Sequence, residues 1–597
     1  MLRQRKSEAQ DEAYLVTSDE NVKKAGKSHS FIVCLLLSWA AQVRVTSLKF
    51  IKPIVGLVCL AVLSFIYQKE FLSLSVTLRS EKWDPTPGAQ GPIEFSADVV
   101  KRDAVVGAFK HAWSAYEKHA MGDDEYHPIS RKGSNLTDAG GIGYTVVDSI
   151  DTMQIMGLDE EYKRAREWIA TSLSFDRNGR FNTFEVTIRV LAGLLSAYHL
   201  SGDDLYLERA TDLADRMLPV FDTPSGLPLS MVNLALRQGV DNSDSPGIVS
   251  TAEAATLQLE FRYLSFLTEN DEYWDRAEKV IKVIKAARIP SALAPIYLGA
   301  QSGQFLMAPI RLGSRGDSYY EYLLKQYIQT NRTEEIYHEM YEDAMRSVHQ
   351  TLMRKSLRRD LTFVAELLPV RKHTGEIEWR PSLKQDHLVC FLGGSLMLGA
   401  ITTEAKTSTV SVPPATHELS NIGKRDWMTG IELIDSCVDT YKNTATGLSP
   451  EIVHFRTKDG PSNKMDGEDW YISGAKPAGQ PPPYDARYIL RPETVESLFI
   501  AFRLTGDIRY RNYGWDIFQA IEKHCRIENG GYASILNVDD VESELEDKME
   551  TFFMSETLKY LYLLFSDASV LPLNEYVFNT EAHPLPIFTP GRWRAFF

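Results

Sequence analysis

Four stretches of this chain repeat one pattern: LLSAYHLSGDDLYLERA (194–210), YLSFLTENDEYWDRA (263–277), LLKQYIQTNRTEEIY (323–337) and LFIAFRLTGDIRYRNY (498–513). Each joins an apolar-aromatic helix end, a short polar turn and an aromatic residue that opens the next helix. Helix, tight turn, helix is an antiparallel α-hairpin. Several such hairpins in one chain stack into a solenoid or close into an α/α barrel, because no single hairpin can bury its apolar face alone. From Ser96 onward helical periodicity dominates and strand alternation is scarce, so residues 98–597 are expected to form one all-α domain. Two loops interrupt it. TTEAKTSTVSVPPATHELS, Thr402 to Ser420, reads as a disordered surface insertion, and SGAKPAGQPPPYDAR, Ser473 to Arg487, leads into RYILRPETVESLFIAF.

That last segment poses a problem of charge. Val495, Leu498, Phe499 and Phe502 recur at helical spacing and belong in a core. Pro492 suits the first helical position, whose N–H has no partner in the helix. Yet Arg491, Glu493 and Glu496 lie against the apolar stripe. Four other places repeat the conflict. Glu185 and Arg189 flank the stripe Phe184, Ile188, Leu191 and Leu195, and an intrahelical ion pair would explain them alone. Glu253 sits among small residues. Ser318 and Glu321 form a plausible capping box, which puts Asp317 just outside a helix start with Arg315 nearby. Glu556 lies in the strongly apolar KMETFFMSETLKYLYLLF, four residues after Phe552. Burying one uncompensated carboxylate costs several kcal/mol, against a total stability of about 5–15 kcal/mol. Glu185, Asp317, Glu493, Glu496 and Glu556 therefore cannot each be buried alone. They are either scattered on the surface or gathered in one polar cavity with arginines and a cation. Oxygen ligands without His/Cys clusters favour Ca²⁺ or Mg²⁺ over zinc. Paired acids beside stacking aromatics suit glycoside hydrolysis, in which one acid protonates the leaving oxygen and a base activates water.

Composition narrows the partners. A formal charge of −15 argues against nucleic acid, since no basic surplus exists to neutralise phosphate. CxxC and HExxH are absent, which removes the common zinc signatures. Of five cysteines, Cys34 and Cys59 lie in apolar N-terminal runs, and two of Cys390, Cys437 and Cys525 can pair in an oxidising lumen. The sequons Asn135-Leu-Thr and Asn331-Arg-Thr fit that compartment. PIVGLVCLAVLSFIY, Pro53 to Tyr67, is uncharged but short of the ~20 residues that span a bilayer; Phe50 and Ile51 extend it if Lys52 snorkels. Arg44, Lys49 and Lys52 precede the run, so the positive-inside rule leaves the N-terminus cytosolic. The expected order is a cytosolic tail (1–49, with an extra apolar run at 31–43), a signal anchor (50–67), a stem (68–97, including WDPTPGAQGPIEF) and the catalytic domain (98–597).

From about Val99 to His583 the chain resembles the class I α-1,2-mannosidases, glycoside hydrolase family forty-seven. The resemblance is carried by HPISRKG, VVDSIDTMQIMGL, FEVTIRVLAGLLSAYHLSGD, TAEAATLQLEF, GSRGDSYYEYLLKQY, DHLVCFLGGSLMLG, LRPETVESLFIAFRLTGD, DKMETFFMSETLKYLYLLF and FNTEAHPLPI. It implies an (α/α)7 barrel and inverting hydrolysis of α-1,2-linked mannose on high-mannose N-glycans. By the same resemblance, Glu185 matches the general acid acting through a water, Asp317 the other acid candidate, and Glu493 the general base. Thr580 would bind Ca²⁺ through its carbonyl and hydroxyl, with Glu496, Glu556 and Glu581 holding the ion's waters and the ion gripping hydroxyls of the terminal mannose. Phe552 would stack on that sugar, His387 and Arg491 would line its subsite, and Arg189, Glu253 and Arg315 would contact the sugars beyond. Cys390 and Cys437 match the family's disulfide, leaving Cys525 free. Arg315, two residues before Asp317, resembles the endoplasmic-reticulum members, which leave an eight-mannose isomer; Golgi members tend to carry an apolar residue there. The implied protein is a monomer anchored in the reticulum membrane, with the Golgi as second choice. A non-hydrolytic glycan-binding factor on the same barrel is the alternative from another class.

Overall fold

The computed structural model describes residues 83–87, 95–287, 292–458, 460, 467–474 and 480–591. The expected anchor and cytosolic tail lie outside these residues. Among the described residues no helix is long and apolar enough to cross a membrane. The chain divides into the units Met1–Asp84 and Pro85–Phe597, and every helix discussed below belongs to the second.

Among the described residues fourteen α-helices reach eight residues or more. They are α1 (Val99–Ala120), α2 (Tyr144–Met156), α3 (Asp159–Thr171), α4 (Ala192–Ser201), α5 (Asp204–Met217), α6 (Gln258–Thr268), α7 (Asp271–Ala286), α8 (Asp317–Gln329), α9 (Glu335–Thr351), α10 (Phe391–Thr402), α11 (Asn421–Lys442), α12 (Glu493–Thr505), α13 (Ile508–His524) and α14 (Leu558–Phe565). Even and odd helices differ in kind. All thirteen residues of α12 are buried, whereas α5 buries one stripe, Tyr206, Ala210, Leu213, Ala214 and Met217. A helix buried on every side lies inside, and one that buries a single stripe lies outside.

Packing follows that division. Each even helix from α2 to α12 touches the next even one, and a π-helical turn, Phe553–Thr557, leads into α14 and touches α2, closing an inner ring of seven. Outside it, α3, α5, α7, α9, α11 and α13 pack on α2, α4, α6, α8, α10 and α12, and α1 packs on α14. The repeated turns set this alternation. Gly202 (φ 68°) ends α4 and Asp203 accepts from Leu205 N to start α5. Gly506 (φ 66°) and Asp507 do the same between α12 and α13, and Asn270 caps α7. A left-handed stop followed at once by an Asp or Asn cap reverses the chain in a few residues.

The all-α expectation needs a correction: eight sheets of two or three strands lie in the connections. The largest pairs Glu366–Arg371 with Ile377–Ser382; most others have strands of two to four residues, too brief to leave an alternation in the sequence. The 402–420 segment is not the expected disordered insertion. Glu418 accepts hydrogen bonds from the Ser411 N–H, the Ser411 hydroxyl and the Ala415 N–H, Ala405 bridges to Leu419, and Leu419 is fully buried. One carboxylate folds the loop around itself. Cys390 and Cys437 are disulfide-bonded, tying the start of α10 to α11, and Cys525 is free and buried.

The C-terminal hairpin, Tyr576–Phe578 paired with Pro584–Pro586, enters the ring. Its turn contacts five inner elements. His583 bonds Asp148 and Asp151 of α2, and Asn579 donates to the Ile188 carbonyl before α4 and to Glu260 of α6. Thr580 donates to Glu321 of α8, and Lys559 of α14 donates to the Ala582 carbonyl.

Candidate active site

Since hairpins alternate inward and outward, every inner helix runs the same way, and their N-terminal ends share one face of the ring. The chemistry-bearing residues stand there. Tyr144 opens α2, and Glu185 and Arg189 sit in the irregular turns that lead into α4. Glu253 lies in the short turn Thr251–Ala254 before α6, Asp317 opens α8, and His387 is in the 3-10 turn before α10. Glu493 and Glu496 form the first turn of α12, and Phe552 and Glu556 precede α14. Free N–H groups and the positive end of each helix dipole therefore point at one collection of carboxylates. Two of these turns, Val186–Leu191 and Phe553–Thr557, are π-helical. The wider turn changes which side chains share a face, a device common at functional sites.

The side chains form one connected set. Glu185 Oε2 accepts from Arg189 Nε at 2.9 Å and from the Tyr144 hydroxyl at 3.1 Å. Arg189 also bonds Thr551 at 3.0 Å and pairs with Glu581. Phe552 holds two guanidiniums to its ring, Arg189 at 5.7 Å and Arg491 at 5.8 Å. Arg491 is clamped by Glu451 at 2.5–3.0 Å and lies 3.8 Å from Glu493. His387 Nδ1 bonds Glu493 Oε2 at 2.8 Å, while its Nε2 meets Tyr441 at 2.9 Å and Thr494 at 3.1 Å. Deeper, Lys325 bridges Glu321 and Glu496, and Thr580 Oγ1 donates to Glu321 Oε2 at 2.8 Å. Depth is graded: Arg315 and Glu185 side chains are 36% and 34% exposed, Glu493 is 12% and Glu581 only 2%. Arg315 and Glu253 pair loosely, at 3.7 Å, toward the open side.

Protonation divides the acids. Burial pushes Glu493 up, but the His387 hydrogen bond and the Arg491 charge outweigh it and hold this carboxyl below its ordinary value. Burial, reinforced by the charges of Glu321 and Glu493, pushes Asp317 up to about 7. Burial, helped by the charge of Glu185, outweighs Arg315 and takes Glu253 to about 7. Glu496 also rises to about 7, through burial that Lys325 only partly offsets. Glu556 and Glu581 are driven well above the carboxylate range, first by burial. Mutual repulsion with Glu581 and Glu493 adds to this at Glu556, and Asp148 and Glu185 add to it at Glu581 despite the opposing Arg189. The cavity thus holds one carboxyl kept below its ordinary range beside others that titrate near neutral pH, above an excess of carboxylates.

A family model described as glycosyl hydrolase family 47 matches residues 108–587. The chain belongs to that family. Among curated relatives, the mannosyl-oligosaccharide 1,2-alpha-mannosidase MNS3 of Arabidopsis thaliana is 44% identical over 515 residues, covering 82% of this chain and 79% of the relative. The endoplasmic reticulum mannosyl-oligosaccharide 1,2-alpha-mannosidase of Schizosaccharomyces pombe is 42% identical over 508 residues, covering 83% and 91%. The solved alpha-1,2-mannosidase from Trichoderma reesei superposes with a TM-score of 0.71 at 28% identity, covering 82% of this chain and all of that one.

In this family 47 hydrolase several local expectations give way to tertiary ones. Ser318 and Glu321 do not form a capping box. Gly316 occupies the cap, the Asp317 carboxylate accepts from Ser318 N at 2.9 Å, and the Ser318 hydroxyl accepts from Thr256. Glu321 is drawn instead to Lys325 and Thr580, because a buried ammonium attracts a carboxylate more strongly than one backbone N–H does. Pro492 is the cap of α12 and Glu493 its first residue, one position from expectation. His387 is a support for Glu493 rather than an open wall, its side chain being 1% exposed. Sequence reasoning missed Glu451, Lys325 and Tyr144. Asp317, Glu321 and Lys325 do carry a signal, standing four apart on one helix face; Glu451, 40 residues from its arginine, carries none.

Proposed function

We propose that this enzyme removes terminal α-1,2-linked mannose from high-mannose N-glycans, trimming a nine-mannose glycan to an eight-mannose isomer with inversion. One observation carries the reading: Glu493 is held below the usual carboxylate range while Asp317 is pushed up to about 7 in the same cavity. The relatives' names as mannosyl-oligosaccharide 1,2-alpha-mannosidases support the substrate. Glu493, oriented by His387 and Arg491, takes a proton from a water, which attacks the anomeric carbon as the bond to the leaving oxygen breaks. The leaving oxygen receives a proton from the opposite side. Glu185 is the family's acid, acting through a water; the raised pKa of Asp317 favours Asp317 as the donor here, since Glu185 is already paired with Arg189. Phe552 offers an apolar face for the sugar, and Arg189, Glu253 and Arg315 suit polar contacts with the residues beyond it.

The oxygen donors fit calcium. Among the described residues Glu556 makes no hydrogen bond or ion pair in spite of being 6% exposed, an arrangement that calls for a cation. Thr580 would be the direct ligand, with Glu496, Glu556 and Glu581 acting through waters. Bound there, the ion would offset carboxylate repulsion and orient sugar hydroxyls. Residence in the reticulum membrane through the 50–67 anchor, catalytic domain lumenal, completes the reading.

The test is digestion of a nine-mannose glycan by the purified protein. A single eight-mannose product, released first as the β-anomer and lost with chelator, supports the proposal. A Glu493→Gln variant that trims at the wild-type rate would remove its base. Arg315→Leu is expected to let trimming continue beyond one mannose; unchanged products would remove Arg315 from specificity.

A further inference from the structure

A second cavity, of about 520 Å³, shares no lining residue with the carboxylate site. Its walls are the hairpin Met353–Lys355/Thr362–Val364, the end of the Ile377–Ser382 strand, and the paired strands Ile452–Phe455 and Trp470–Tyr471. In a chain of formal charge −15 its lining is strongly basic: Arg354, Lys355, Arg456 and Lys458 stand against one carboxylate, Asp360.

The two arginines are the unusual members. Lys355 has Glu432 at 2.6 Å, and Lys458 meets Asp360 only at 3.8 Å across a largely exposed pair. Arg354 and Arg456 pair with no carboxylate among the described residues and bond only backbone carbonyls, that of Met353 for one and those of Glu468 and Trp470 for the other. Arg456 Nε is buried with no acceptor among the described residues. A buried donor left unmade is costly and marks a place where a ligand or ion completes the shell.

Arg456 is also fixed in place. Its guanidinium lies 4.4 Å over the Tyr471 ring, whose neighbour His454 stacks at 5.5 Å. The 356–360 loop opposite is tied down by buried Asp469, which accepts from the Arg358 and Arg359 N–H groups and from Arg359 Nε at 2.8 Å. Two guanidiniums on rigid walls, flanked by the hydroxyl-bearing residues Ser356, Ser382 and Thr457, suit tetrahedral oxyanions. The volume falls in the range of small-molecule sites.

We propose that this cavity binds a phosphate- or sulfate-type oxyanion, free or esterified to a small polar molecule. Inorganic phosphate titrated calorimetrically into the full-length chain, at ~0.1 M NaCl without added calcium, should bind saturably at one site. Arg354→Gln/Arg456→Gln should weaken it at least tenfold while leaving mannose release within twofold of wild type. Should that pair fail to fold, Arg354→Gln alone should cost severalfold. Asp360→Asn, at an exposed position, should tighten binding severalfold. Glucose 6-phosphate binding more tightly than phosphate identifies an esterified ligand, and equal affinities identify the free anion. Absence of saturable binding, wild-type affinity in the arginine variants, or glucose binding as well as its phosphate would each overturn the proposal.

Discussion

Replacing His387 by leucine tests how the base is kept ionised. The imidazole gives Glu493 a 2.8 Å hydrogen bond in a buried setting. A hydrogen bond to a charged group is worth about 1.5–3 kcal/mol, so losing it should raise the proton affinity of Glu493. Arg491 would still favour the ionised form against burial. The sign follows directly. The base works only when ionised, so raising its pKa moves the acid limb of kcat/KM to higher pH. The basic limb, set by Asp317 near 7, should not move, so the active window narrows from its acid side. The assay is kcat/KM for a nine-mannose glycan between pH 4.5 and 8.5 with saturating calcium, on protein whose folding is checked by circular dichroism. A folded variant with an unmoved acid limb, or one slowed equally at every pH, would refute the claim that His387 acts through the ionisation of Glu493.

Further outcomes follow from the same geometry. Asp317 and Glu253 carry folded-state values near 7, above those of the unfolded chain. The folded protein therefore holds protons that the unfolded chain releases, and stability falls as pH rises from about 4 through 7. Chelated protein should melt higher at pH 5.5 than at pH 8, and Asp317→Asn/Glu253→Gln should flatten that difference. Cys390 and Cys437 are 47 residues apart, and Cys→Ser at both should cost about 4 kcal/mol by loop-closure entropy, read as a lower unfolding midpoint. Glu451→Ala leaves Arg491 a buried unpaired cation and should destabilise by about 3–5 kcal/mol, with KM rising as Arg491 loses its place; an unchanged midpoint and KM would remove Glu451 from the site's support.

Much of the fold was legible because its determinants are local. Gly202-Asp203 and Gly506-Asp507 state where a helix stops and the next begins, within a few residues of chain. The Val495, Leu498, Phe499 and Phe502 stripe marks a helix with one face in the core, but that its polar residues are buried too was not legible. Carboxylates embedded in apolar helices left two alternatives, scatter over the surface or one shared cavity, and the family resemblance favoured the second. The short hairpins in the connections and the folded 402–420 loop were not legible. Strands of two to four residues leave no period, and a loop folded around the Glu418 carboxylate has no composition to distinguish it from an unfolded one.

By itself, then, the chain determined a repeated α-hairpin architecture and that its embedded acidic side chains could not each be buried alone. Tertiary structure alone decided that seven helices close a ring, that Glu451 rather than Glu493 clamps Arg491, and that Glu321 turns from its own helix end to Lys325 and Thr580. It also decided which acid keeps its proton. Helix stops and stripes depend on neighbours a few residues away, whereas a carboxyl's proton affinity depends on burial and on charges brought within a few ångströms from distant parts of the chain.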